Sequence, residues 1–394
     1  MIKTIEVKKG MYLHIHSKYG WYIDSEKKYK SSMLSNIPIE RKSNKSSFFN
    51  HPNIYVMSGC NGKCKYCYQE EHLNQGFNNL SITEIKKFLD FLEERQDKTQ
   101  PKIMELFGGE PLLRKDILDI IALIKQRGYH INIATNGTLP ILRQKEFIDL
   151  CKERVHIRIS LDGHTSELHE LYRTKGSFGK IVENIHGLVS NHIDTSVKSI
   201  IVDNNFPYLY DILCFVRDCL GIKKWNYNVL YQLRTCQKNN VVSSVTHDMM
   251  IKEMCKKKYF EFMPMLMQTP FAQMITSVFI KQTKKYRRTY PFLNYDGKIY
   301  INDQLIVPEF ELGTIDTFRE DYWEIIKKIE LQRKSCEMCY AEDYCYLGNY
   351  GELYMTDRTL ISEFPTCDIM RKCVVYLMSQ GEYGVEMLKN IYVG

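Results

Sequence analysis

Short runs of β-branched and aromatic residues alternate along this chain with longer stretches whose apolar residues recur every three or four positions. The runs Ile54 to Met57, Ile103 to Phe107, Ile131 to Thr135, Val155 to Leu161, Ser196 to Val202 and Trp225 to Leu230 read as strands. The stretches between them read as helices: Thr83 to Gln96 behind a Ser81 cap, Arg114 to Arg127 stopped by Gly128, Ile141 to Lys152, Lys180 to His192, and Tyr208 to Leu220 stopped by Gly221. Repeated strand–helix units predict an α/β fold, with a parallel sheet built through right-handed crossovers. Six such units make an open barrel, and in barrels of this kind the loops at the strand C-terminal ends carry the chemistry.

The flanks differ in texture. The first fifty residues read as strands or a hairpin, followed by the polar connector Arg41 to Ser47. Residues 236–290 are helical and rich in methionine (Met249, Met250, Met254, Met263, Met265, Met267), which reads first as core packing. From Asn294 the pattern turns to short strands and cysteine-rich loops, a second and smaller domain.

Composition narrows the class. With 394 residues and 44% hydrophobic content, a sizeable core is expected. There is no apolar run long enough to span a membrane and no signal-peptide pattern at the N-terminus, so the expected location is the cytoplasm, with no membrane partner. Thirteen cysteines, clustered at short spacings, then read as metal thiolates in a reducing compartment. The net charge of +7 is modest, and its lysine runs read as solvated faces; no aromatic-interleaved motif points to nucleic acid.

The densest signal is Cys60-Asn-Gly-Lys-Cys64-Lys-Tyr-Cys67, three cysteines at CxxxCxxC spacing just after the first strand. Three thiolates in one short loop suit three irons of a 4Fe–4S cluster and leave the fourth iron open; a closed zinc site would need a fourth ligand, for which His72 is the near candidate. Next come Gly108-Gly109-Glu110-Pro111 after the second strand, Thr135-Asn136-Gly137 after the third, and Ser160-Leu161-Asp162-Gly163 after the fourth. His169, Arg173 and Gly176-Ser177-Phe178 follow. In this order, with Tyr66 directly before the third cysteine, the segments resemble the radical SAM family over roughly residues 54 to 205.

The resemblance implies a partial (β/α)6 TIM-like barrel and a cluster on Cys60, Cys64 and Cys67 whose open iron chelates S-adenosylmethionine (SAM). It also implies that Gly108, Gly109, Glu110 and Pro111 contact the SAM amino group. Tyr66, Asn136, Ser160 and Asp162 would line the site, and Arg173 would take the SAM carboxylate. Reductive cleavage would then give a 5′-deoxyadenosyl radical that abstracts hydrogen from the substrate.

Near the C-terminus, Cys336, Cys339, Cys345 and Cys367 resemble the SPASM extension of radical SAM enzymes, giving a smaller cysteine-rich SPASM/Twitch-like domain. The full pattern carries two auxiliary clusters. Here Asn302 and Asn349 stand where two of its cysteines are expected, so the four remaining cysteines imply one auxiliary 4Fe–4S cluster. Zinc on the same four thiolates stays open, as does Cys373 in place of Cys367. Cys151, Cys214, Cys219, Cys236 and Cys255 read as buried thiols. Asp303 is the candidate proton acceptor by likeness to sulfatase-maturating relatives, with a turn residue as the plainer reading.

The expected organisation is an N-terminal extension (1–50), the radical SAM core (51–235), a helical bridge (236–293), the SPASM-like domain (294–376) and a tail (377–394). The implied substrate is a ribosomally made precursor peptide that acquires a side-chain crosslink, and the implied partner is a flavodoxin or ferredoxin-type electron donor. Haem-pathway decarboxylation, formylglycine formation and a non-catalytic peptide-binding or electron-transfer role stay open.

Overall fold

The computed structural model describes residues 2–8, 11–16, 20–24, 26–27, 45–69, 79–230, 236, 238–280, 289–331, 339, 365–380, 383–384 and 387. A small antiparallel sheet is built from β1 (Ile2–Lys8), β2 (Met11–His16) and β3 (Gly20–Asp24), and Leu13 of β2 joins the main core. The six strands expected from the hydrophobic pattern are β4 (Asn53–Tyr55), β5 (Ile103–Phe107), β6 (His130–Thr135), β7 (Val155–Ser160), β8 (Thr195–Ile201) and β9 (Trp225–Val229). They lie side by side in chain order, all parallel.

The array does not close into a barrel among the described residues. Its β4 edge is instead extended by β10 (Phe292–Leu293), β11 (Lys298–Tyr300) and β12 (Glu311–Thr314) into a nine-stranded sheet of order β12-β11-β10-β4-β5-β6-β7-β8-β9. Strand β10 pairs parallel with β4, setting Phe292 opposite Asn53, while β11 and β12 continue antiparallel. The segment expected to start a separate domain at Asn294 therefore begins as the continuation of the same sheet. A two-residue strand is too short to be read from alternation.

The crossover helices follow from local chemistry. Helix α1 (Ile82–Arg95) starts with a reciprocal cap: Ser81 Oγ accepts from Glu84 N at 3.1 Å, and Ser81 N donates to Glu84 Oε2 at 2.7 Å. It buries Ile85, Phe88, Leu89 and Leu92, one stripe of a 3.6-residue period. Helix α2 (Ile117–Gln126) begins three residues later than the pattern predicts, because Pro111–Leu113 form a separate 3-10 turn. Helices α3 (Lys145–Cys151), α4 (Ser166–Glu170) and α5 (Phe178–Ser190) follow. Helix α6 (Leu209–Cys214) widens into a π turn over Phe215–Cys219, which turns Cys219 to the surface and leaves Cys214 half-buried. The expectation of five buried thiols holds for Cys151, Cys236 and Cys255.

Strand alternation sorts the sheet into two faces. Val155, Ile157 and Ile159 of β7 are buried in the main core, and His156, Arg158 and Ser160 alternate with them. Tyr55 and Phe107, paired in register, form a separate aromatic cluster with Phe292 and Tyr300. In the methionine-rich bridge, α7 (His247–Met254) and α8 (Pro270–Ile280) flank a 3-10 stretch, Lys257–Leu266. Met250, Met254, Met263 and Met265 are buried, and Met267 is exposed. Helices α9 (Tyr322–Leu331) and α10 (Pro365–Ser379) complete the described elements, and among them no helix is long and apolar enough to cross a membrane.

Candidate functional site

The cysteine loop leaves β4 and is stitched to the end of β5. Gly109 N donates to Met57 O and Glu110 N donates to Gly59 O, each at 2.9 Å. A Cβ on Gly108 would sit 2.9 Å from Met57 O, and one on Gly109 would overlap the Gly59 carbonyl. The two glycines therefore serve close approach of backbone to the cysteine loop itself. Arg114, almost fully buried, donates through one guanidinium nitrogen to Val56 O (2.7 Å) and Leu80 O (2.6 Å). It thereby ties together the chain on either side of the loop, while Asp116 holds its other edge at 2.8 and 2.7 Å.

Further bonds hold the loop from the end of β6 and from the segment after α4. Asn61 accepts from Asn136 Nδ2 (2.8 Å) and donates to Thr138 Oγ1 (3.1 Å). Lys63 N donates to Thr174 Oγ1 and Lys65 N to Tyr172 O, each at 2.8 Å. Cys60, Cys64 and Cys67 are free and half-buried. Burial pushes the Cys60 thiol up to about 11 and Cys67 up to about 12, and raises Cys64 despite the nearby Arg173. Thiols so placed are protonated until a metal displaces the protons. Among the described residues no group of three or more His, Cys, Asp or Glu is arranged to hold one metal ion. A cluster binds each thiolate to a different iron, so three thiols on one loop fit it without converging on a point. His72 lies outside the described residues.

Glu110 is 1% exposed and faces no cation among the described residues. Its Oε1 accepts from Thr135 Oγ1 (2.7 Å) and Leu112 N (3.2 Å), and its Oε2 from Asn136 N (2.7 Å). Burial outweighs these three donors and pushes its carboxyl up to about 7. Pro111 opens the adjoining 3-10 turn.

A second buried carboxylate, Asp162, organises the far side. Arg173 donates from Nε to Oδ2 at 2.5 Å and from a terminal nitrogen to Oδ1 at 3.3 Å. Ile200 N donates to Oδ1 at 2.8 Å, and the Tyr66 hydroxyl donates to Oδ2. The remaining Arg173 nitrogen is 3.9 Å from Cys64 Sγ, and the guanidinium lies over the Tyr66 ring. Arg173, expected to take a ligand carboxylate, is thus already forked onto Asp162. His169 is fully buried between Asp162 N (3.2 Å) and Ser177 Oγ (3.1 Å), and burial lowers its pKa to about 4. Ser160 ends β7 half-buried, on the same rim.

Asp303 reaches the site from the C-terminal strands, where its charge acts on Arg158 of β7 and on Tyr68. It accepts from the Tyr290 hydroxyl and from the Tyr68 hydroxyl at 3.4 Å, so it links the residue after Cys67 to the C-terminal strands. Asn302 is 1% exposed, and its side-chain oxygen caps its own loop by accepting from Gln304 N at 2.7 Å. Cys339 and Cys367 are half-buried; Cys336 and Cys345 lie outside the described residues, as does Asn349.

Residues 54–204 match the model of the radical SAM superfamily. They are a radical SAM domain. Members of this family use SAM with a 4Fe–4S cluster.

The antilisterial bacteriocin subtilosin biosynthesis protein AlbA of Bacillus subtilis is 30% identical over 179 residues, 45% of this chain and 39% of AlbA. The chain thus matches about two-fifths of that relative's length. The fold extends the likeness beyond the domain. The structure of anSMEcpe with bound AdoMet and Cp18Cys peptide superposes with a TM-score of 0.67 at 14% identity, covering 86% of this chain and 99% of that one. Streptococcus suis SuiB bound to precursor peptide SuiA gives 0.57 at 14% identity, covering 78% and 73%.

Sequence reasoning did not single out Arg114, Asn61, Tyr68 or Tyr290, and took Thr135 only as part of the Thr135-Asn136-Gly137 segment. For Arg114 the sequence offers no separate signal, since it opens a charged Arg-Lys-Asp run just past GGEP. The two tyrosines meet at Asp303 from 222 positions apart, which local pattern does not reveal.

Proposed function

We propose that this chain is a radical SAM peptide maturase. Cys60, Cys64 and Cys67 hold the catalytic cluster, and Tyr66, Gly108 to Pro111, Asn136, Ser160, Asp162 and Arg173 form the SAM site. The observation that carries the reading is Glu110, a carboxylate shielded from water, fixed by three donors and lacking a cation, on the strand end bonded to the thiol loop. A ligand ammonium completes it. When bound, the cluster and SAM supply a 5′-deoxyadenosyl radical. The chain's own residues orient SAM, keep water from Glu110, and hold Arg173 beside Cys64 through Asp162.

A precursor peptide is the proposed substrate, supported by AlbA's role in subtilosin biosynthesis and by the peptide-bound anSMEcpe and SuiB structures. Asp303, held by two tyrosines, is the proposed proton acceptor. Cys336, Cys339, Cys345 and Cys367 are the proposed ligands of one auxiliary cluster, with Asn302 filling its own loop where a further cysteine would otherwise serve. The proposed chemistry is a side-chain crosslink, in the cytoplasm, with the domain limits given by the sequence. Co-expression with short reading frames beside the gene, followed by mass spectrometry, tests this: a peptide lighter by two hydrogens per bond is expected. Peptides left unchanged by enzyme that cleaves SAM would overturn the substrate assignment.

A further inference from the structure

Tyr55 ends β4, just ahead of the cysteine loop, and is 1% exposed. Its ring is held by three others, with Phe107, Tyr295 and Phe292 centred 5.5, 5.3 and 6.3 Å away. Its hydroxyl is shut off from solvent and has no hydrogen-bond partner among the described residues. A donor buried in that state costs folding free energy, and phenylalanine would pack there without the penalty. Other buried phenols are engaged: Tyr66 donates to Asp162, Tyr129 accepts from Gln96, and Tyr259 donates to Glu253 at 3.1 Å.

What surrounds the hydroxyl accounts for it. Burial first, then the neighbouring Cys67, Tyr295 and Cys60, raise its pKa above the ordinary value, so it keeps its proton and can only gain by donating. Cys67 and Cys60 are themselves protonated in the metal-free chain, and a thiol is a weak acceptor. The same sulfurs, once they carry negative charge on iron, are strong acceptors. Burial that leaves the phenol idle in one state therefore strengthens its bond in the other.

We propose that the Tyr55 hydroxyl donates a hydrogen bond to a sulfur of the first cluster and raises its reduction potential. This rests on the reading of Cys60, Cys64 and Cys67 as cluster ligands. The reduced cluster carries one more negative charge than the oxidised one, so the donor favours it; the proton stays on the phenol.

The test compares Tyr55→Phe, which keeps the ring and removes the oxygen, with wild type in two states. Metal-free Tyr55→Phe should unfold at the same denaturant concentration as wild type or a higher one, because no bond is lost. After anaerobic reconstitution, titration with dithionite in the absence of SAM should give the variant a more negative potential for the first cluster. That cluster is followed by the EPR signal that changes when SAM is added to a parallel sample. In wild type, pulsed EPR after exchange into deuterated buffer should show an exchangeable-proton coupling on the reduced cluster that the variant lacks. Tyr129→Phe is the control: it should lose stability and keep the wild-type potential. An unchanged potential in Tyr55→Phe would overturn the proposal, as would a metal-free variant less stable than wild type. A shift seen only with SAM present would place the hydroxyl on SAM and rule the proposal out. A wild type without a SAM-responsive cluster would instead overturn the functional reading.

Discussion

The Arg173 guanidinium forks onto the Asp162 carboxylate, with Nε 2.5 Å from Oδ2, and its remaining nitrogen reaches to 3.9 Å from Cys64 Sγ. A buried ion pair thus holds a fixed positive charge beside a thiol that must become a thiolate. Their side chains are 12% and 4% exposed. Removing one partner of such a pair leaves an unpaired buried charge.

Asp162→Ala should therefore destabilise the metal-free protein by about 3–5 kcal/mol, read from denaturant unfolding. Asp162→Asn, which can still accept from Ile200 N, should cost less. Equal stability of the alanine variant and wild type would mean that solvent reaches Arg173.

Glu110 makes SAM binding pH-dependent. Burial holds its carboxyl at about 7 when no cation faces it, and a ligand ammonium would pull that value down. Below about pH 7 binding must then release a proton, so affinity should fall up to about tenfold per pH unit and level off above. Glu110→Gln should weaken SAM by roughly 1.5–3 kcal/mol near neutrality and lose the slope. Titration calorimetry across pH 6–8 reads both effects.

The strand–helix order of residues 54–229 was legible because each strand is a compact apolar run and each helix carries a stripe and a stop, as at Gly128 and Gly221, both with positive φ. The cysteine loop and GGEP were legible for another reason, since their residue types serve few purposes at that spacing. What Gly109 packs against was not, because the Gly59 carbonyl it meets lies fifty positions away. Neither was the Asp162–Arg173 pair, which spends the fork expected for a ligand on a neighbouring carboxylate. The extension of the sheet by Phe292–Leu293 escaped because two residues have no period.

Gly109→Ala should disrupt the cysteine loop, since its Cβ would overlap the Gly59 carbonyl. The expected result is loss of the iron held by the first loop, read by iron analysis after reconstitution. Unchanged iron would show that the loop can move aside.

His169 should make folding acid-sensitive. Its folded-state value of about 4 lies below the ordinary 6.5, so the unfolded chain takes up the proton first. Stability is full above about pH 6.5, falls as pH drops toward 4, and loses about 3 kcal/mol over that window through this group. Unfolding midpoints of wild type and His169→Gln across that range should diverge in slope.

The central claim is that Cys60, Cys64 and Cys67 hold the cluster that cleaves SAM. The direct measurement is anaerobic reconstitution with iron and sulfide, then dithionite and SAM, with 5′-deoxyadenosine quantified. Wild type should form it, and the variant with all three cysteines changed to Ala should form none while keeping about four irons at the second site. A wild type that leaves SAM intact, or a triple variant that still cleaves it, would contradict the account.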